Sequence, residues 1–289
     1  MILVAYSGSS KADWILQSHP ETISFRTNGL NPFFLNEKDI IKLLQHHPTI
    51  QQIQDKVTET HFFGAGCLSP DLRERISNAL SALFRNAFIN VEQDILGVSY
   101  ATCGHTKGIS CILGTGSNSV YFDGSNTYPS KFGLGYILGD EGSGAFFGKK
   151  LIKDFLYGTM PSRLRRSFGN TYHLNKEIIV RHVYQESSPS SYLGSFAPFM
   201  SQHLDAPYIQ HLIYSGFEKF INTNIRCFDN YNQYPCHFTG SIAYYFKDIL
   251  HTVCLANRIN IGQILHRPTE RLAKFITNIQ STETLSQVL

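Results

Sequence analysis

Short apolar runs that end in polar turns dominate the start of the chain. The first six residues, MILVAY, are apolar and rich in branched side chains, which is typical of a buried strand. The polar turn SGSSK follows directly, and two further short strands are predicted at Asp13–Leu16 and over the stretch ETISFRT. This pattern predicts a sheet whose first strand is followed by a tight turn and a return strand.

Longer amphipathic segments separate these strands from the next ones. Glu37–His46 and Ser69–Phe88 are predicted to be helices, and the second has Ser69 as its N-cap and Pro70 at its first helical position. Its apolar residues recur three or four positions apart, so one face is predicted to pack on a core. The stretch FINVEQD then predicts a strand that ends at Asp94, where the helix ILGVSYAT begins.

The same order of elements begins again shortly after residue 104. GISCILG predicts a buried strand, GTGSNS a turn rich in Gly and Ser, and SVYFDG a return strand. A strand, a Gly/Ser turn and a return strand therefore occur once in each half of the chain. The repeat predicts a duplicated α/β domain in which the two turns face each other across a cleft.

The second half of the chain is predicted to be mostly helical. The serine-rich stretch ESSPSSYLGS, Glu186–Ser195, predicts an exposed loop. A helix is predicted at Ala145–Leu156, just after the acidic and glycine-rich stretch GDEGSG. Further helices are predicted at Ser215–Tyr231, Ser241–Leu255 and Thr269–Ile279.

Composition excludes several classes of protein. With 289 residues, 42% hydrophobic and 16% charged, the chain can build two ordinary cores and is not expected to be disordered. A net charge of +3 without a basic stripe argues against nucleic acid as a partner. No segment approaches the ~20 apolar residues of a membrane span, and no charged leader precedes an apolar stretch. A cytoplasmic protein with no membrane partner is therefore expected.

The six cysteines are scattered along the sequence. They lack the two-residue spacing of zinc and redox motifs, so free and mostly buried thiols are expected.

The two Gly/Ser turns are candidates for phosphate binding, since glycine allows close backbone approach and hydroxyls add donors. Two common phosphate motifs do not fit. In GSGAFFGKK, Ser143 takes the first glycine position of a Walker loop and Lys150 takes its Ser or Thr position. In GTGSNS, Ser119 replaces the last glycine of a dinucleotide fingerprint. A pair of hairpins remains, and their matching positions favour a shared polyphosphate over two ordinary turns.

Six motifs carry a family resemblance that runs over nearly the whole chain: SGSSKADW, NGLNPF, GAGC, ILGTGSNSV, GLGYILGDEGSGAFFGKK and FTGSIAYYFKDIL. On these motifs the sequence resembles the BadF/BadG/BcrA/BcrD-type ATPases, in particular their bacterial N-acetylglucosamine kinase-like members. That family belongs to the superfamily of hexokinase, actin and chaperone ATPase domains. The resemblance implies an α/β fold of two ribonuclease-H-like (actin-like ATPase) domains with a nucleotide and sugar cleft between them. The implied domains are residues 1–106, completed by a C-terminal helix at 268–289, and residues 107–267.

The resemblance also implies an activity, which is transfer of the γ-phosphoryl group of ATP, with Mg²⁺, to the 6-hydroxyl of N-acetylglucosamine or a close relative. The implied general base is Asp94. The implied phosphate-binding residues are Ser7, Gly8, Ser9, Ser10 and Lys11 in the first hairpin and Gly114, Thr115, Gly116 and Ser117 in the second. Gly240 and Ser241 are implied to contact the adenosine. The implied sugar-binding residues are Asn31, Gly66, Asn118, Gly135 and Asp140. Asp13 or Glu141 is implied to bind the metal through water. The implied partners are small molecules, and a homodimer is left open.

Several of these residues are also of types that stabilise local structure. An Asp where a helix begins is often its N-cap. Acidic residues near a helix N-terminus are favoured by the helix dipole, and Asn often organises a turn. These alternatives stay open for Asp94, Asp140, Glu141, Asn31 and Asn118.

Tyr6 departs from the family pattern, which has an acidic residue at this position that helps to hold Mg²⁺. A tyrosine has a pKa near ~10 and is neutral at pH 7, so it cannot supply the missing charge. Ala12 lacks a hydroxyl of the family pattern, while Ser10 keeps one. Two functions therefore remain open: an active amino-sugar kinase, which is favoured, and a catalytically impaired nucleotide or sugar sensor descended from one. An activator ATPase of radical dehydratases is disfavoured, because no cysteine spacing suits an iron–sulfur cluster.

Overall fold

The computed structural model describes residues 1–18, 21–186 and 188–288 of the chain. The chain divides into two compact units, one of Met1–Thr106 with Arg267–Leu289 and one of Lys107–His266. Leu289, the last residue of the implied C-terminal helix, lies outside the described residues.

The first unit alternates strands and helices. Its strands are β1 (Ile2–Ser7), β2 (Lys11–Ser18), β3 (Glu21–Asn28), β4 (Glu59–Gly64) and β5 (Phe88–Gln93). The helices of its N-terminal part are α1 (Glu37–Gln45), α2 (Pro48–Ile53), α3 (Pro70–Leu83) and α4 (Asp94–Cys103).

The sheet of the first unit has the order β3-β2-β1-β4-β5 in the described part of the chain. β1 pairs antiparallel with β2 and parallel with β4, and β5 continues parallel to β4. In this register Ser7, Gly64 and Gln93 lie in one row across the three parallel strands. The turn after β1 and Asp94, which follows β5, are therefore at the same edge of the sheet.

The central strand β1 is buried on both faces, which explains why its sequence is an unbroken apolar run. Leu3 and Ala5 pack in one core with residues of α1 and α3, such as Leu44 and Leu80. Val4 points into a second core on the opposite face. That second core includes residues of α4 and of the C-terminal helix.

The second unit holds five described strands and most of the helices. Its strands are β6 (Gly108–Leu113), β7 (Ser117–Phe122), β8 (Thr127–Pro129), β9 (Cys236–Thr239) and β10 (Ile261–Leu265). Its helices are α5 (Gly135–Leu138), α6 (Gly144–Tyr157), α7 (Ser162–Tyr172), α8 (Lys176–Tyr184), α9 (Pro189–Gly194), α10 (Ala197–Gln202), α11 (Pro207–Phe220), α12 (Ser241–Tyr245) and α13 (Lys247–Ala256). The last helix, α14 (Thr269–Val288), packs in the first unit.

The two sheets have the same topology. The second has the order β10-β9-β6-β7-β8, with β7 and β8 antiparallel to their neighbours and β9 and β10 parallel to β6. The β6–β7 hairpin thus occupies the place that the β1–β2 hairpin has in the first sheet. The predicted repeat and the α/β fold of two ribonuclease-H-like, actin-like ATPase domains are confirmed.

Two smaller expectations can also be compared with the structure. All six cysteines are in the thiol form, as predicted, and five of them are buried. Within the described ranges, the structure contains no helix that combines the length and the apolar character needed to cross a bilayer.

Some predicted bounds in the first unit were wrong. β2 extends over Lys11–Ser18 rather than Asp13–Leu16, because its pairing with β1 and β3 continues beyond its apolar centre. The helix predicted to reach Phe88 ends at Leu83, since Phe84 leaves the helical conformation to bury its ring in the core.

Two helices of the second unit were also misplaced. The helix predicted at Ser215–Tyr231 begins at Pro207, which occupies its first turn, and passes into a π-helical turn, Ile221–Ile225. The helix predicted at Ser241–Leu255 is interrupted at Phe246, whose backbone (φ −112°, ψ 26°) leaves the helical region while its ring enters the core.

The predicted loop Glu186–Ser195 contains the helix α9, and Ser187 within it lies outside the described residues. α9 packs closely on α6, and Leu193 is buried. The contact depends on Gly148, because a Cβ there would overlap the Leu193 carbonyl group. A serine-rich segment thus becomes part of the core surface through close backbone contact.

We expect Gly148→Ala to destabilise the protein by about 1–3 kcal/mol, the usual cost of overpacking a close contact. Thermal unfolding followed by circular dichroism should show a clearly lower Tm. The matched control is Gly169→Ala in α7, where the added Cβ meets only the edge of the Phe155 ring at 3.3 Å. The control should leave Tm unchanged or raise it, because Ala favours a helix. Equal Tm values for the two variants would contradict the α6–α9 contact.

Candidate functional site

The first hairpin is held together from inside by Ser7. Its side chain is buried, and its Oγ accepts a hydrogen bond from the Leu30 backbone N–H at 2.9 Å and donates one to the Gly8 carbonyl at 3.2 Å. The Gly8 N–H donates to the Lys11 carbonyl at 3.0 Å, which closes the turn. The Ser7 hydroxyl is therefore used within the fold. The partly or fully exposed side chains of the hairpin are Ser9, Ser10 and Lys11.

Three of the predicted site residues meet beside this hairpin. The Asn31 amide donates to Ser9 Oγ at 3.3 Å, and its oxygen accepts from the Phe33 N–H at 3.0 Å. Gly66, at φ +83°, lies against the Asn31 amide so closely that a Cβ would overlap it. Gly29 approaches the backbone of Gly8 and Ser9 in the same way. Asn31 therefore stabilises its own turn, which was one of the two interpretations left open. Its amide also contacts the hairpin.

Asp94 is the first residue of α4, directly after β5. The N-cap position belongs to Gln93, whose side chain makes no capping bond, so Asp94 is not the N-cap. Its Oδ1 accepts a hydrogen bond from the Ile95 N–H at 2.9 Å. Burial raises the pKa of the carboxyl from 3.8 to about 6, against the opposing effect of backbone hydrogen bonds. Asp94 is thus a partly desolvated carboxylate that is mostly ionised at neutral pH and can accept a proton.

Tyr6 faces Asp13 across the β1–β2 pair. Burial raises the pKa of Tyr6 well above 10, and the charges of Asp94 and Asp13 raise it further. The side chain is therefore neutral across the physiological range. Asp13 accepts a hydrogen bond from Arg26 Nε at 2.8 Å and lies 3.8 Å from Arg267 Nη1.

The grouping of acidic side chains bears on the predicted magnesium site. Among the described residues, no cluster of three His, Cys, Asp or Glu side chains could hold a metal ion. Mg²⁺ needs hard, mostly anionic oxygens in a tight octahedron. Tyr6 is neutral, and Asp13 is already bound by arginine. The role of Asp13 or Glu141 in binding a metal through water stays a prediction; in the structure Asp13 is paired with Arg26, and Glu141 is buried beside Asp140.

The second hairpin is attached to the start of α6. The Gly114 N–H donates to the Gly116 carbonyl at 3.0 Å. The carbonyls of Gly114 and Thr115 accept from the backbone N–H groups of Gly144 and Ala145, at 2.8 and 2.9 Å. These N–H groups belong to the first turn of α6, which has no partners for them within the helix. The turn therefore has a fixed position on the helix end.

Asp140 lies against this hairpin. Its backbone takes a left-handed conformation, at φ +50°, and its carboxylate accepts a hydrogen bond from the Ser117 N–H. A Cβ on Gly116 would be 2.8 Å from Asp140 Oδ2, so a larger residue there would push the carboxylate away from the turn. Burial raises the pKa of Asp140 to about 6, and the charge of Glu141 adds to the shift. The Ser117 hydroxyl is buried without a hydrogen-bond partner among the described residues.

Asn118 and Gly135 are less closely tied to this group. The Asn118 amide oxygen accepts from the Ser119 N–H at 2.8 Å, as expected if it stabilises its own turn. Gly135, at φ +71°, has open space around its α-carbon and begins α5. Lys149 Nζ donates to the carbonyls of Tyr136 and Ile137, at 3.0 and 3.1 Å, and so holds α5 on α6.

Gly240 follows the end of β9 and packs against the start of the second hairpin. At φ +115° its α-carbon lies so close to β6 that a Cβ would be 2.5 Å from the Leu113 carbonyl oxygen. The preceding Thr239 hydroxyl is buried without a described hydrogen-bond partner, and Ser241 is exposed at the start of α12. Gly240 therefore has a packing role, and the adenosine contact of this turn stays a prediction.

Some contributors to the site have no clear signal in the sequence. Gly29 could have been suspected only from its place in NGLNPF. Lys149 is not marked by its sequence, and its amine donates to two backbone carbonyls. Thr239 is identified only from the structure, because its buried hydroxyl has no hydrogen-bond partner among the described residues.

Replacing Asp94 with Asn should stabilise the protein at neutral pH. The folded carboxyl has a pKa of about 6 instead of 3.8, so between these pH values the folded state binds more protons and stability falls as the pH rises. At pH 7.5 the ionised, partly desolvated carboxylate costs about 1–2 kcal/mol, which an amide does not. Scanning calorimetry should give a Tm about 2–4 °C higher for Asp94→Asn.

The gain should shrink as the buffer is lowered toward pH 4.5, where the wild-type carboxyl is neutral. Asp55→Asn is the matched control, since Asp55 is exposed and should leave Tm unchanged at either pH. A lower Tm for Asp94→Asn at pH 7.5 would show that this carboxylate stabilises the fold and is not desolvated.

The chain is similar to several proteins of known structure. No protein-family model and no curated protein matches the sequence. A crystal structure of a candidate N-acetylglucosamine kinase from Porphyromonas gingivalis shares 37% identity and a TM-score of 0.89, over 96% of this chain and 99% of that one.

More distant structures share the fold alone. A candidate N-acetylglucosamine kinase from Chromobacterium violaceum has 16% identity and a TM-score of 0.69, over 95% of this chain and 98% of that one. An ethanolamine utilization protein from Carboxydothermus hydrogenoformans has 10% identity and a TM-score of 0.51, over 94% and 87%. The identity to the Porphyromonas gingivalis protein over almost the full length of both chains decides the relationship: this chain belongs to the same family, that of the N-acetylglucosamine kinase-like proteins.

Proposed function

We propose that this protein is an ATP-dependent sugar kinase that phosphorylates N-acetylglucosamine or a close relative at its 6-hydroxyl. We also assign it, on its sequence motifs, to the BadF/BadG/BcrA/BcrD-type ATPases. The relationship to the Porphyromonas gingivalis protein supports the kinase class. Sugar and ATP are the proposed partners, and a homodimer and a cytoplasmic location stay predictions.

The proposal rests mainly on the position and the raised pKa of Asp94. It follows the last of three parallel strands whose carboxyl ends lie in one row, the edge where α/β folds bind ligands. Burial gives its carboxyl a pKa of about 6. A group with this pKa is ionised at neutral pH and still basic enough to take a proton from a hydroxyl during the reaction.

The proposed reaction balances with Asp94 as the general base. The sugar 6-oxygen attacks the γ-phosphorus of ATP while its proton passes to the Asp94 carboxylate. The bond between the γ-phosphorus and the bridging oxygen of ADP breaks, and ADP leaves with the electron pair. The products are the sugar 6-phosphate, ADP and the proton, which Asp94 releases to water because its pKa is below neutral pH.

Each unit supplies further polar groups for this reaction. In the first unit we assign the Ser9, Ser10 and Lys11 side chains to the phosphates and the Asn31 amide to the sugar. This assignment is supported by the bond between Asn31 and Ser9 at the same sheet edge as Asp94. Gly66 allows the backbone to pass close to Asn31.

In the second unit the turn Gly114–Ser117 is assigned to the phosphates and Asp140 to sugar hydroxyls. The buried Ser117 hydroxyl supports this, since a phosphate oxygen would satisfy it. Gly240 and Ser241 are assigned to the adenosine, and Asn118 and Gly135 to the sugar. Mg²⁺ enters as part of the substrate, bound by the phosphates of ATP.

Tyr6 favours one alternative, a nucleotide or sugar sensor derived from such a kinase. The neutral Tyr6 side chain at the end of β1 supplies no charge of its own to hold the water shell of Mg²⁺. Calorimetry separates the two functions. Binding of N-acetylglucosamine and ATP without formation of ADP, with either Mg²⁺ or Mn²⁺, would support the sensor.

Under the kinase proposal, Asp94→Asn should lower kcat by about 10²–10⁴-fold, because the amide cannot accept the proton. The measurement is coupled ADP release with N-acetylglucosamine as substrate. The wild-type kcat/KM should rise with pH and level off above about pH 6, where Asp94 is ionised. Asp55→Asn, an exposed acid, should keep full activity. Wild-type turnover that Asp94→Asn does not reduce would exclude Asp94 as the base.

Tyr6→Asp should increase the Mg²⁺-dependent rate above that of the wild-type protein, because it restores an anionic oxygen at the end of β1. Tyr6→Phe is the control for loss of the hydroxyl and should not increase the rate. The same coupled assay, titrated with Mg²⁺, compares the three proteins. An unchanged or lower rate for a folded Tyr6→Asp protein would refute the assignment of a metal defect to Tyr6.

A further inference from the structure

A cavity of about 420 Å³, open to solvent, lies at the surface of the second unit. It is formed where α6 ends and α7 begins. The residues that line it are Phe155, Gly158, Met160, Ser162, Arg165 and Arg166. Its size is within the range of sites that hold small metabolites.

The cavity has a positive lining. Two of its residues are arginines, and none is acidic. Arg165 is held in place because its Nε donates to the Phe155 carbonyl at 3.1 Å and its guanidinium lies 5.9 Å from the centre of the Phe155 ring. That bond uses one of the five guanidinium donors and leaves the terminal amino groups for an anion.

The acidic group closest in sequence is Asp154, and its carboxylate is already bound. It accepts hydrogen bonds from Lys150 Nζ at 3.0 Å, Thr159 Oγ1 at 3.1 Å and the Tyr208 hydroxyl at 2.6 Å. These bonds lower its pKa although burial opposes them. Asp154 therefore has its own cationic partner in Lys150.

The start of α7 adds to the positive potential of the cavity. Ser162 is the first residue of this 11-residue helix, whose first turn has no acidic side chain and whose N-cap position, Pro161, makes no side-chain capping bond. The free N–H groups of a helix start favour an anion. Phe155 and Met160 also line the cavity and give it apolar surface. Two arginines, a hydroxyl and an apolar wall suit a small organic phosphate.

We propose that this cavity binds a small phosphate monoester through Arg165 and Arg166, at a site separate from the second hairpin. Arginine suits this ligand because its planar donors match two phosphate oxygens. The cavity is at one end of α6, and the other end of this 14-residue helix, about 21 Å away, holds the second hairpin through Gly144 and Ala145. The site goes beyond the proposed kinase reaction and does not depend on it.

The experiment is isothermal titration calorimetry of the full-length protein with two probes, inorganic phosphate and N-acetylglucosamine 6-phosphate, each in the presence of saturating ADP. The double variant Arg165→Gln/Arg166→Gln should bind at least about tenfold more weakly. The loss of one charged hydrogen bond is by itself enough to weaken binding by about this factor. The matched control is Arg163→Gln/Arg181→Gln, which removes the same charge from exposed arginines outside the cavity lining. It should bind as the wild type does.

The two probes separate the sources of the phosphate. Tighter binding of the sugar phosphate identifies an organic ester and supports the proposal, and equal binding of both probes reduces the site to one for a phosphate ion. Wild-type affinity in the Arg165→Gln/Arg166→Gln protein, or no binding by the wild type, overturns it.

Folding is monitored by Tm, and Arg165→Lys/Arg166→Lys provides a second variant that keeps the charge. It should retain more affinity than the Gln variant; equal affinities for the two would also overturn the proposal.

Discussion

The register of three parallel strands is the constraint on which the first unit depends. Ser7, Gly64 and Gln93 share one row, so the hairpin after β1, the Gly66 turn after β4 and Asp94 after β5 all lie at one edge of the sheet. A shift of one residue would turn the side chains of a strand to its other face and separate these groups. Because α4 begins at Asp94, its carboxylate stays next to backbone N–H groups while it is partly shielded from water. The raised pKa is thus a consequence of sheet geometry.

The second unit uses the same topology but holds its hairpin differently. The first hairpin is closed by a buried serine hydroxyl, whereas the second is attached to the N–H groups at the start of α6. In both units, glycines lie where other groups pack closely against the backbone: Gly29 and Gly66 in the first unit, Gly116 and Gly240 in the second. The two units therefore share a strand order but hold their hairpins in place by different contacts. The arrangement in the second unit brings a carboxylate, Asp140, into direct contact with the turn.

Tyr6 separates the question of fold from the question of activity. Its ring packs within the apolar core beneath the β1–β2 pair, while its hydroxyl is close enough to Asp94 and Asp13 for their charges to raise its pKa. Asp13, which could have provided the missing charge, is bound by arginine instead. The family relationship rests on 37% identity, and the neutral residue at this position bears on the proposed reaction rather than on the fold. Fold and family do not by themselves establish catalysis.

The sequence by itself determined the duplicated strand and turn order, because a two-sided buried strand needs an unbroken apolar run and a tight hairpin needs glycine. It also pointed to Asp94, Asp140 and Asn31, although only through their place in family motifs. The tertiary structure alone decided which hydroxyls are used within the fold, as with Ser7, and which lack a partner, as with Ser117. It also decided that Pro189–Gly194 is a packed helix, since the contact that buries it comes from Gly148, some forty residues earlier. Local patterns cannot carry that information, because such bonds and contacts join residues far apart in the chain.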